Sequence, residues 1–112
     1  MNMDALSMVK FGDVDSLQGM LFENGIQHHT FANVLADAGV QIIRFPIMDA
    51  DPNDLDDWLL AHQSEHQSIA TALNLSNPIN LLDADWSNED SFYDWLSTHI
   101  SLHQQISDTL GL

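Results

Sequence analysis

The stretch WLLAHQSEHQSIATALNL runs from Trp58 to Leu75, and WLSTHISLHQQISDTLGL runs from Trp95 to Leu112. The two align without a gap. The offset from Trp58 to Trp95 is 37 residues, and it holds for His62/His99, His66/His103, Gln67/Gln104, Ile69/Ile106, Leu73/Leu110 and Leu75/Leu112. A fixed period in the range of about 20–50 residues marks repetition of one supersecondary unit. Trp58, His62, His66, Ile69 and Leu73 fall at i, i+4, i+8, i+11 and i+15, and Trp95, His99, His103, Ile106 and Leu110 repeat that spacing. Such positions lie on one face of an α-helix. These ten residues form the expected packing seam.

A weaker copy comes first. With an offset of 38 residues from Met20 to Trp58, Asn24 falls at the His62 position, His28 at His66, Phe31 at Ile69 and Leu35 at Leu73. Gly19 and Gly25 lie inside this copy, and each weakens a helix by about 1 kcal/mol relative to Ala. The expectation is therefore a single all-α domain, residues 1–112. It is a three-helix bundle built from helix-plus-connector units at about 13–39, 51–75 and 87–112.

The helix ends carry their own signals. Asp13, Asp51 with Pro52 behind it, and Ser87 with Asp90 three residues on are suitable starts. Gly39 and Gly111 are suitable stops. The connectors Gln41–Ala50 and Leu75–Trp86 contain Ile42, Ile43, Phe45, Ile79, Leu81 and Leu82, so they are read as extended segments packed on the helices. Pro46 argues against a central strand. Segments of this length can return along a helix, so an up-down-up order and a parallel order are both open. The translational repeat favours the parallel one, and the commonness of small up-down bundles favours the other. The lead-in, residues 1–12, offers Met3, Leu6, Met8, Val9 and Phe11 for docking before Gly12 breaks the chain.

Composition removes several functions. There are 17 acids against Lys10 and Arg44, a net charge of −15. Phosphate-backbone binding needs clustered Lys and Arg, so direct nucleic-acid contact is not expected, nor is an anionic membrane surface. Much of the acidity gathers at expected helix starts: Asp13 and Asp15; Asp49, Asp51, Asp54, Asp56 and Asp57; Asp83, Asp85, Glu89, Asp90 and Asp94. The helix macrodipole favours anions there. The absence of cysteine excludes disulfides and thiolate sites. No secretory signal and no apolar run of about 18 residues is present, so an intracellular chain, or one released by lysis, is expected.

Histidines four residues apart on one helical face can share a metal ion. His62/His66 and His99/His103 are thus candidate ligands, four imidazoles in all. The reading preferred from sequence is structural, with no metal and no cofactor: seam histidines that hydrogen-bond to backbone, to Asp or Gln, or to one another and so fix register. His62–His66 also matches the H-x-x-E-H pattern of inverted zincins. The residue aligned with Glu65 is Leu102, so the pair persists where the catalytic acid does not. The Asp-rich segments at Asp49–Asp54 and Asp83–Asp90 lack the glycine of a calcium loop and read as helix caps. No nucleophile elbow or phosphate loop occurs, and the chain is not expected to be an enzyme.

The pattern W-L-x-x-H-x-x-x-H-x-x-I-x-x-x-L, a connector, an Asp-x-Asp stretch and a second copy resembles small acidic proteins encoded in the structural gene modules of tailed bacteriophages. The match spans Asp51–Leu112 and, more loosely, Asp13–Gly39. The resemblance implies a non-enzymatic virion component at the neck, head–tail junction or capsid surface. It implies other virion proteins as partners, some with basic surfaces, an oligomer or stoichiometric complex, and a place in the virion and, during assembly, the host cytoplasm. Two alternatives stand beside it: an acidic nucleic-acid mimic that inhibits a host defence enzyme, and a His-pair metal-binding protein.

Overall fold

Three long helices carry the chain, and each starts and stops for a local reason. The computed structural model describes residues 1–42, 44, 51, 55–75 and 86–112. They form four helices: α1 (Met3–Ser7), α2 (Val14–Asp37), α3 (Asp56–Leu73) and α4 (Glu89–Leu110). No β-strand occurs among the described residues.

Asp13 caps α2, its side chain accepting from the Asp15 and Ser16 N–H groups. Asn88 caps α4, accepting from Ser91 N at 3.0 Å. The sequence had pointed to Ser87, one residue early; the carboxamide of Asn88 performs the same task. The start of α3 differs more. Asp51 does not cap it. The helix begins at Asp56 behind Leu55, which offers no side-chain cap, and Asp56 and Asp57 fill its first turn, where anions are stabilised. Pro52, Asp54 and most of both connectors lie outside the described residues.

The three long helices end alike. A residue in left-handed conformation follows each, Gly39 (φ 86°), Asn74 (φ 54°) and Gly111 (φ 74°). The next N–H then reaches back five residues: Val40 to Leu35 O at 2.8 Å, Leu75 to Ala70 O at 2.9 Å and Leu112 to Ser107 O at 2.9 Å. This closure satisfies carbonyls that a helix C-terminus leaves unpaired.

Two apolar clusters fix how the helices lie. One contains Met20 and Leu21 of α2, Trp58 of α3, and Phe92, Trp95 and Leu96 of α4. The other contains Phe31 and Leu35, Ile69, and Ile106. The first takes residues from the N-terminal half of each long helix and the second from the C-terminal half. The three helices therefore run in the same direction. Met20, Trp58 and Trp95, aligned by the sequence offsets, share the first cluster, and Phe31, Ile69 and Ile106 share the second.

The lead-in docks where it was expected to, with one helical turn not foreseen. Asn2 caps α1. Leu6 and Val9 are buried in the first cluster, whereas Met8 points to solvent. Phe11 N donates to the Tyr93 hydroxyl at 3.1 Å, which ties the segment to α4.

Candidate metal centre

Between the two apolar clusters lies a polar layer. His62 and His99 stand one turn before His66 and His103 on α3 and α4, and His28 enters from α2. All five imidazoles are buried, none more than 3% exposed. One ring nitrogen from each falls within 4.8 Å of the others. The sequence identified four of these as candidates. It aligned His28 with His66 but did not nominate it. The sixth histidine, His29, is exposed and stays outside.

The contacts are closer than packing requires. His28 Nε2 lies 3.1 Å from the Nε2 atoms of His62, His66 and His103. His62 Nε2 lies 3.0 Å from His66 Nε2 and 3.1 Å from His99 Nε2. An imidazole nitrogen carries either one in-plane proton or one lone pair, so His28 Nε2 cannot be hydrogen-bonded to three others at once.

One outer nitrogen shows which form faces inward. Gln27 Nε2 donates to Asn2 O at 3.0 Å and to Glu23 Oε1 at 3.3 Å. Its Oε1 is thereby left facing His103 Nδ1 at 2.8 Å. A carbonyl oxygen only accepts, so His103 Nδ1 carries the proton and its Nε2 is a lone pair. On the other side, His28 Nδ1 lies 3.3 Å from Glu65 Oε1. His103 thus turns an acceptor nitrogen inward, 3.1 Å from His28 Nε2.

Burial opposes adding a proton to this layer. Desolvation pushes the His28 pKa down to about 3. Desolvation first, then repulsion from neighbouring histidines, holds His62, His66, His99 and His103 well below the usual 6.5. All five are neutral at physiological pH, and neutral imidazole is the form that binds metal.

The walls of the layer are aromatic. Trp58 stacks on His62 with ring centroids 4.5 Å apart and planes 17° apart, and Trp95 stacks on His99 at 4.8 Å and 16°. On the opposite side Phe31 lies against His28 and His103. The pocket lined by Val9, Phe11, Leu17, Leu55, Trp86 and Phe92, about 250 Å³, contains none of the histidines.

Sequence reasoning set Glu65 aside because Leu102 replaces it in the next copy. The same alignment holds the missing signal: counting back 38 residues from Glu65 reaches Gln27. Both are acceptors one residue before a buried histidine, and each serves the histidine of a neighbouring helix. Direct comparison adds no relative: no protein-family model matches the chain, and no curated protein or solved structure matches it significantly.

Proposed function

We propose that this chain is a metal-binding protein that holds one divalent first-row transition metal ion on His28, His62, His66, His99 and His103. The observation that carries the reading is the convergence of five buried imidazoles, one ring nitrogen of each within 4.8 Å of the others and His28 Nε2 3.1 Å from His103 Nε2. A cation is what such a group lacks. Imidazole donors suit zinc, copper, iron and nickel. The Gln27–His103 and Glu65–His28 contacts are the outer-shell partners that metal-bound histidines usually have. The net charge of −15 also concentrates cations around the chain.

On this reading the chain is a parallel three-helix bundle of three related units, and the ion ties the three units together. The virion role implied by the sequence resemblance is compatible with such a block and rests on that resemblance alone.

Elemental analysis of the purified chain, with melting before and after a chelator, tests the proposal. One ion per chain is expected. With free metal at about 1,000 times Kd the folded state gains about 4 kcal/mol, and removing the ion should lower Tm by on the order of 15 °C. A chain that takes up no ion, with a Tm indifferent to added metal and to chelator, would overturn it.

A further inference from the structure

Given the metal centre proposed above, on which this inference rests, we propose that its sixth coordination position is open to a small exogenous ligand, held against the ion by Asn24. Nitrogens about 2.1 Å from a common ion lie about 3.0 Å apart at right angles and about 3.4 Å apart at the tetrahedral angle. The observed separations of 3.0–3.1 Å match the right angle, which belongs to an octahedron. All five donor atoms lie within 4.8 Å of one another, and two nitrogens on opposite sides of one ion stand about 4.2 Å apart at the same bond length.

Five histidines leave one vertex of an octahedron. The register says what faces it. Each long helix supplies two positions one turn apart: His62 and His66, His99 and His103, and on α2 Asn24 and His28. Asn24 therefore stands where the other two helices place a ligand. It is 0% exposed, and neither its Oδ1 nor its Nδ2 has a hydrogen-bond partner. A buried carboxamide without partners is costly. Its side chain is shorter than that of histidine, so it stops short of the ion and leaves room for a ligand of a few atoms. Water, hydroxide, a small anion or a diatomic gas would bind the ion through a lone pair and meet the amide at its outer end. Met20, one turn before Asn24 on α2, belongs to the apolar cluster with Trp58 and Trp95, and a position this buried admits only a small ligand.

The test uses the full chain loaded with Co(II) and titrated with azide, and loaded with Fe(II) without oxygen and exposed to nitric oxide. The cobalt spectrum should shift with saturation, and the ferrous protein should give the paramagnetic signal of an iron–nitrosyl. Asn24→His supplies a sixth imidazole: it should still load one ion and lose both responses. Asn24→Leu removes the amide while keeping the volume. It should load the ion and bind azide about tenfold more weakly, as loss of a hydrogen bond worth about 1.4 kcal/mol requires. A loaded chain that answers neither probe overturns the open position and leaves the metal centre standing. An Asn24→His chain that responds like the original, or an Asn24→Leu chain whose azide affinity is unchanged, overturns the role of Asn24. Failure to load either ion overturns the centre and this inference with it.

Discussion

His28 has the same spacing to Phe31 and Leu35 as His66 has to Ile69 and Leu73, but no second histidine stands one turn before it. For that reason it does not look like a ligand in the sequence. In the structure its Nε2 lies against three other imidazole nitrogens, as many as His62 Nε2 does. Loss of one of five ligands should be felt equally whether or not the residue belongs to an H-x-x-x-H pair. His28→Ala is expected to lower metal affinity as much as His62→Ala does, measured by competition with a chelating dye; a His28→Ala chain with unchanged affinity would remove it from the centre. Gln27 acts one step further out. By fixing the Nδ1–H form of His103 it keeps the inner nitrogen available. Gln27→Leu should weaken metal binding by about 10–100-fold, and Gln27→Glu, which retains the acceptor, should restore most of it. Equal affinities for all three chains would mean that the tautomer is set elsewhere.

At the scale of the helix, the sequence was informative where local chemistry acts alone. Asp13, Gly39 and Gly111 end their helices as expected because a cap needs only one side chain or one left-handed residue. The start of α3 was not legible: Asp51–Pro52 has the composition of a cap, but the helix begins at Asp56 behind Leu55, which has no capping side chain to show in the sequence. The helical turn of α1 was also missed, since five residues carry too little periodicity to show. Of the centre, the four paired histidines were legible from their spacing. What spacing could not give is that all three helices run the same way, which brings the pairs to one level and admits His28 and Asn24. Asn88 tests the local part by itself. Asn88→Ala should cost about 1 kcal/mol, visible as a lower denaturation midpoint, while metal stoichiometry stays the same; a change in stoichiometry would show that α4 is positioned by its cap rather than by the layer.

For the whole molecule, five neutral histidines link stability to pH. Their folded pKa values lie below the unfolded 6.5. Above pH 6.5 neither state binds these protons and nothing is lost. Below it the unfolded chain takes up protons that the folded chain refuses, so stability falls until the folded pKa is reached, about 3 for His28. Each histidine contributes in this direction, against a domain stability of only about 5–15 kcal/mol. The metal-free chain should therefore lose Tm steeply between pH 6.5 and pH 5, an interval above the usual carboxylate range near about 4. A Tm that is level across it would contradict the buried neutral layer. The common direction of the helices also has a kinetic consequence. Every cross-helix pair in the layer joins residues far apart in the chain: His62 and His28 are separated by 34 positions, and His103 and Gln27 by 76. No single helix, and no pair of helices, contains the whole centre, so it forms only when folding is nearly finished. A captured ion can then leave only when the helices separate, and its escape rate under excess chelator should equal the unfolding rate and be independent of chelator concentration.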